Sequence, residues 1–186
     1  MIIGITGSFG TGKTSVANMF KEYGFFVVNV DELYRDIYKK NESLKNKIEK
    51  TFGTTERSEL KKIVFSNKNK LKRLNKITHP VIINEIKLII RKINKKDIII
   101  DAPLLIEANA VNLVDKLIVV ICHKEEQIKR LLKKGKYTKN EIGNIIKSQM
   151  PLKEKLKYAD YIIDNSYSLD NTKKQVKELV ASLKRK

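Results

Sequence analysis

Three glycines, a lysine and a threonine stand at polyphosphate-gripping spacing in Gly7-Ser8-Phe9-Gly10-Thr11-Gly12-Lys13-Thr14. The stretch fits G-x-x-x-x-G-K-[ST], the phosphate-cradling P-loop, whose glycines let the backbone turn its N–H groups toward an anion. The helix that follows adds unpaired donors and a positive dipole end. Gly10, Thr11, Gly12, Lys13, Thr14 and Ser15 are therefore the expected residues binding a nucleoside triphosphate, with Lys13 on the outer phosphates and the Thr14 hydroxyl on Mg²⁺. Two carboxylates complete the chemistry. Asp101 closes the aliphatic run Ile98-Ile99-Ile100, the Walker B arrangement that sets an acid near the metal. Asp31 follows Phe25-Phe26-Val27-Val28-Asn29-Val30, where it reads either as a helix N-cap or as a carboxylate facing the terminal phosphate. The second reading makes Asp31 catalytic, because in a parallel sheet the strands' carboxyl ends converge on the ligand crevice.

Apolar runs without polar alternation are the mark of strands buried on both faces. Five occur: Met1–Thr6, Phe25–Val30, Ile98–Asp101, Leu117–Cys122 and Tyr161–Asn165. Helical spacing fills the intervals, beginning with Val16, Ala17, Met19 and Phe20 and stopping at Gly24. From Lys39 to Lys76 the pattern gives short amphipathic helices broken near Gly53 and Asn67. Thr78-His79-Pro80 then opens a long helix to about Asn94, with Thr78 as cap and Pro80 in the first turn. Its core face is Ile82, Ile83, Ile86, Ile89, Ile90 and Ile93. Asn94-Lys95-Lys96-Asp97 spells a guanine-recognition N-K-x-D, but it precedes a strand instead of following one and is set aside. After the fourth strand, Gln127 and Arg130 lie on Lys124–Lys134, and Lys133-Lys134-Gly135-Lys136 leads into a helix from about Thr138. Cations on such a helix–loop–helix suit a lid that brings positive charge to a transferring phosphoryl group. Glu107 reads either as facing the same crevice or as a solvated loop acid.

The 186 residues suggest one domain, with a formal charge of +18. Nearly all of that charge is lysine spread along the chain, with no basic block flanked by aromatics, which argues against a nucleic-acid interface. A lysine-rich surface attracts small polyanions equally well. The single Cys122 admits no internal disulfide and reads as a buried, inert thiol. With no cationic leader and no apolar run of spanning length, the expectation is a soluble, cytoplasmic protein. Oligomeric state and donor strictness are not written in the sequence.

Taken together, these segments resemble the dephospho-coenzyme A kinase family almost end to end. The match is carried by Gly7–Thr14, Asn29 to Asp31, Ile63-Val64-Phe65-Ser66, Thr78-His79-Pro80 and Asp101-Ala102-Pro103-Leu104-Leu105-Ile106-Glu107. Gln127 to Arg130, Ser148-Gln149-Met150-Pro151 and Lys155 to Asn165 continue it. The resemblance implies an α/β P-loop fold with a five-stranded parallel sheet in order 2-3-1-4-5. It further implies one kinase domain with a core of 1–38, 97–123 and 159–186, an acceptor-binding helical region of about 39–96 and a lid of about 124–158. The implied reaction is ATP-dependent phosphorylation of the ribose 3′-hydroxyl of dephospho-coenzyme A, the last step of coenzyme A synthesis. The resemblance makes ATP the triphosphate bound by Gly10 to Ser15. Carried over by position, Asp31, Lys13 and Arg130 are catalytic, while Asp31, His79 and Leu104 meet the acceptor and Thr14 and Asp101 the metal. Asn29 stands where the family usually has an acid, and Lys134 stands at a lid position that is usually Arg. The segment after Gly53 is shorter than usual. Other readings on the same scaffold are a different small-molecule or nucleoside kinase and a nucleic-acid-linked P-loop protein.

Overall fold

Gly24, at φ 88°, ends the first helical stretch where its spacing predicts a stop, and the elements on either side follow the apolar pattern closely. The computed structural model describes residues 1–93 and 96–184. β1 (Ile2–Gly7) runs through the glycine loop into α1 (Lys13–Met19), which a 3₁₀ turn over Phe20–Tyr23 extends. β2 (Phe26–Asn29) passes directly into α2 (Val30–Lys40). Next come α3 (Glu42–Phe52), α4 (Arg57–Phe65) and α5 (Lys68–Lys92). β3 (Ile98–Asp101) and β4 (Lys116–Ile121) are followed by α6 (Lys124–Lys133), α7 (Lys139–Ser148) and α8 (Leu152–Leu156). β5 (Tyr161–Asp164) and α9 (Leu169–Leu183) complete the chain. Asn94 and Lys95 of the N-K-x-D match lie outside the described residues.

These elements form two compact units, Met1–Asn29 with Lys95–Lys186, and Val30–Asn94. The first is built on a five-stranded parallel sheet of order β2-β3-β1-β4-β5, the order expected. Its register sets Asp101 beside Ile5 of β1 on one side and Asn29 of β2 on the other. Ile3, Ile5, Ile99, Ile118 and Val120 pack with Val16, Ala17 and Phe20 of the first helical stretch and with Val176 and Val180 of α9. β2 differs from the expected fully buried strand. It is an edge strand, and Phe26 is 42% exposed. Cys122 directly follows β4, and burial pushes its thiol pKa up, which keeps it in the inert protonated form.

The helical unit gathers around Tyr38, Leu44, Ile48, Leu60 and Val64. Its long helix corrects the sequence reading. α5 starts at Lys68, capped by the Asn67 side chain accepting from Asn69 and Lys70 N–H, so Thr78 is a buried interior residue and not a cap. Pro80 accordingly lies inside the helix, where the missing N–H and the ring clash cost about 3 kcal/mol. Leu71, Leu74, Ile77 and Val81 explain why the helix persists: they form one apolar stripe across the proline and pack on the unit's core. Of the expected C-terminal isoleucine face only Ile86 is fully buried.

Tyr34 meets Tyr38 edge to face in this core, and burial pushes its phenol pKa up to about 12. The folded state therefore disfavours ionisation that the unfolded chain undergoes near pH ~10. Stability from this residue is fully present below that pH and is lost as pH rises toward 12. Alkaline unfolding of a Tyr34→Phe variant, compared with wild type, is expected to show a shallower loss of stability across that window. Identical slopes would remove Tyr34 from the effect.

Candidate active site

The glycine loop is held in shape from outside as well as by its own bonds. At Gly7 a Cβ would come 2.4 Å from the Val120 backbone oxygen, and at Gly12, with φ 89°, it would come 2.1 Å from Asn165 Nδ2. Both places admit only glycine. Asn165, just past β5, donates from Nδ2 to the Thr11 carbonyl at 2.9 Å and accepts from the Thr172 hydroxyl at 2.9 Å. Inside the loop, the Ser8 carbonyl accepts from Thr11 N–H, from the Thr11 hydroxyl at 3.0 Å and from Lys13 Nζ at 3.0 Å. Lys13 is 7% exposed, so its ammonium sits within the loop and not in bulk solvent. No side chain caps α1 at Gly12, leaving the start of that helix to the loop and to what the loop binds.

Thr14 Oγ1 donates to Asp101 Oδ2 at 2.7 Å. The two residues expected to share a metal are thus in contact, although 87 positions separate them. Asp101 is 3% exposed and Thr14 exposed, so the pair has a buried acid at its base and a hydroxyl at its mouth. Arg130 on α6 is braced by Glu126 Oε1 at 3.0 Å and donates from Nη1 to the Asn165 carbonyl at 2.8 Å. The residue that supports Thr11 therefore also supports Arg130. Lys134 at the end of α6 is exposed, and Gly135 follows at φ 64°. The capping box of Thr138 and Glu141 begins α7 where the spacing placed it.

Of the sequence-predicted residues, Gly10 to Ser15, Asp101 and Arg130 come together in the sheet unit, and half-buried Leu104 lies on the loop after β3 in the same unit. Asp31 and His79 belong to the helical unit. Asp31 is exposed in the first turn of α2, with its carbonyl accepting from Arg35 Nε at 3.3 Å. Because α2 already begins at Val30, Asp31 is not the N-cap that the alternative reading required. A carboxylate at that place instead complements the helix's positive end. Half-buried His79 sits within α5, one residue before Pro80. Glu107 is no solvated loop acid: its side chain is 18% exposed and pairs with fully buried Lys155 at 2.9 Å.

Sequence reasoning assigned no role to three amides that grip the loop. Gln127 Nε2 donates to the Phe9 carbonyl and to Ser8 Oγ at 3.3 Å. Gln149 Oε1 accepts from Phe9 N–H at 2.8 Å, and Asn165 supports Thr11 as described. Tyr137 lies edge-on to the Phe9 ring at 5.3 Å. The only signal for these residues is that Gln127, Gln149 and Asn165 fall in the segments that carry the family resemblance.

The dephospho-CoA kinase family model matches residues 1–171. The dephospho-CoA kinase of Carboxydothermus hydrogenoformans is 39% identical over 186 residues, covering 94% of this chain and 90% of that protein. The crystal structure of TT1252 from Thermus thermophilus superposes with a TM-score of 0.83 at 26% identity, covering 98% of this chain and 97% of the other. The dephospho-CoA kinase from Campylobacter jejuni gives a TM-score of 0.68 at 26% identity, covering 98% of this chain and 96% of the other. Members of the family are ATP-dependent kinases that phosphorylate an alcohol group, a reaction that ends coenzyme A biosynthesis. A P-loop lysine within its loop, the Thr14–Asp101 pair beside it and a match across nearly the whole length place this chain in the dephospho-CoA kinase family.

Proposed function

We propose that Lys13, the Gly10–Thr14 amides, Asp31 and Arg130 transfer the γ-phosphoryl group of ATP to the ribose 3′-hydroxyl of dephospho-CoA. The observation that carries the donor half is the Thr14–Asp101 hydrogen bond of 2.7 Å at the mouth of a loop already wrapped around the Lys13 ammonium. A hydroxyl and a carboxylate are hard oxygen donors of the kind that suit Mg²⁺, which prefers one or two protein ligands and completes its shell with phosphate and water. Bound there with ATP, Mg²⁺ would neutralise charge on the β- and γ-phosphate oxygens.

The chain's own groups supply the rest. Lys13, whose Nζ donates to the Ser8 carbonyl, is placed within the loop to donate to an anionic phosphate oxygen, a strong charge-assisted bond. Asp31 hydrogen-bonds the 3′-hydroxyl, aims it in line and accepts its proton late, since a loose transition state needs positioning more than base strength. The new bond joins the 3′-oxygen to the γ-phosphorus as the bond to the β-phosphate oxygen breaks, and ADP leaves. Support for Asp31 is its place in the chain, two residues after Asn29, which pairs in register with Asp101. His79 and Leu104 are assigned to the acceptor by the family pattern. The segment from α6 to α8 is assigned as the lid, and the cytoplasm as the place of action. No helix among the described residues is long and apolar enough to cross a membrane.

Arg130 provides a test of the lid assignment. Arg130→Ala is expected to lower turnover by about tenfold to a hundredfold while weakening ATP binding only a fewfold, because its charge is needed when the lid closes. Equal, small effects on both would reduce Arg130 to the brace on Asn165. The reaction itself is tested by coupled measurement of ADP release with dephospho-CoA, adenosine or a nucleoside monophosphate as acceptor. Strong stimulation by dephospho-CoA alone supports the assignment, whereas stimulation by another acceptor in its place would overturn it.

A further inference from the structure

We propose that the buried Glu107–Lys155 ion pair is a positioning device for nucleotide binding, acting through Gln149 on the peptide that joins Ser8 to Phe9. The inference rests on the phosphate-binding role given to the loop above.

The contacts form a chain inside the sheet unit. Lys155 on α8 has no solvent exposure, and its Nζ lies 2.9 Å from Glu107 Oε1 and 2.7 Å from the Pro103 carbonyl. Pro103 O also accepts from the Thr6 hydroxyl of β1 at 3.1 Å, so the ammonium is referenced to the strand that feeds the loop. Glu107 Oε1 in turn accepts from Met150 N–H at 3.0 Å, which pins the backbone next to Gln149. Gln149 Oε1 accepts from Phe9 N–H at 2.8 Å.

The last link uses the planarity of the peptide bond. Phe9 N–H and Ser8 C=O belong to one rigid peptide, so a bond that fixes the direction of the first fixes that of the second. Ser8 C=O is the group that holds Lys13 Nζ and both hydrogen-bond donors of Thr11, its N–H and its hydroxyl. Gln149 therefore sets where the P-loop ammonium rests, and the ion pair sets where Gln149 stands.

Energetics argue that the pair is not there for stability alone. Taking two charges out of water costs more than a surface pair returns, and well-packed apolar replacements are often as stable. Burial pulls the Lys155 pKa below its ordinary value, a sign of that cost, while Glu107 opposes the shift. Glu107 Oε2 is buried with no hydrogen-bond partner among the described residues, which adds to the cost. What the pair offers in return is direction: a charged carboxylate aimed at one backbone N–H.

The test compares Gln149→Ala, Lys155→Met, Glu107→Gln, the apolar double variant E107M/K155M and the combination Q149A/K155M. ATP affinity is read by calorimetric titration without acceptor, and KM for ATP and for dephospho-CoA by steady-state kinetics. Gln149→Ala and Lys155→Met are each expected to weaken ATP binding about tenfold and to leave KM for dephospho-CoA within about twofold. Q149A/K155M is expected to bind no more weakly than the worse single variant, because both changes cut the same chain. E107M/K155M is expected to unfold near the wild-type temperature yet keep the tenfold ATP defect, which separates positioning from stability. Should Lys155→Met fail to fold, Glu107→Gln and the apolar double variant carry the comparison. Additive losses in Q149A/K155M, equal changes in both KM values, or full ATP affinity in E107M/K155M would overturn the proposal. Because affinity is read without acceptor, the result is independent of which alcohol is phosphorylated. A wild-type protein that binds no ATP would overturn this inference and the nucleotide reading together.

Discussion

Replacing Lys13 with alanine is expected to lower turnover by at least about a thousandfold, equivalent to about 4 kcal/mol of barrier. The ammonium is buried within the loop at 7% exposure, where electrostatic interactions are worth more than in water. It is expected to hold phosphate oxygens through the whole reaction and most strongly as charge builds on the leaving group. The Ser8 carbonyl has two further donors, Thr11 N–H and the Thr11 hydroxyl, to hold the loop when the ammonium is removed. The variant is therefore expected to unfold near the wild-type temperature. Lys13→Met, which keeps the apolar stem, should be as inactive as Lys13→Ala. Steady-state kinetics on either variant checks this, and retention of a tenth of wild-type turnover would remove Lys13 from the mechanism.

Asp31→Asn is expected to lower turnover by about 10²–10⁴, the usual worth of a positioned acid or base. The amide oxygen can accept one hydrogen bond from the 3′-hydroxyl but cannot take its proton. Stability should change little, because Asp31 lies inside the first turn of α2 and Asn keeps the size and one acceptor oxygen of the side chain. What is lost there is the carboxylate's interaction with the helix's positive end, about 0.3–1 kcal/mol. Glu32 remains in the same turn and retains part of that interaction. Asn29 already stands where the family usually has its other acid, so no carboxylate two residues earlier can substitute. Kinetics and thermal unfolding on one preparation decide the matter. Near-normal turnover would sink the catalytic role, and activity lost in proportion to stability would make Asp31 a structural residue.

The parts of this molecule that were legible in its sequence are those whose cause is local. The P-loop is eight consecutive residues, and Ile98–Asp101 announces both a buried strand and the acid at its end. The contact of Thr14 with Asp101 was legible only because strand, loop and acid form a known arrangement. Sheet order came from the family resemblance, since apolar runs say that strands are buried but not which ones are neighbours. For the same reason the runs could not show that β2 lies at an edge with Phe26 exposed. The start of α5 was misplaced because Pro80 reads as a first-turn residue, while the packing of Leu71, Leu74 and Ile77 that carries the helix past it is tertiary. Gln127, Gln149 and Asn165 were illegible in a different way. Their amides bond to backbone atoms 118, 140 and 154 positions away, and no periodicity marks such a pair. Glu107 likewise has the look of a loop acid until Lys155 is seen beside it.

The measurement that bears most directly on the central claim is the identity of the phosphorylated atom. Incubated with Mg²⁺, ATP and dephospho-CoA, the protein is expected to yield ADP and coenzyme A in equal amounts, with phosphorus NMR showing one new phosphomonoester on the ribose 3′-oxygen. ADP released at the same rate without acceptor, or a phosphate found on any other atom, would contradict the account.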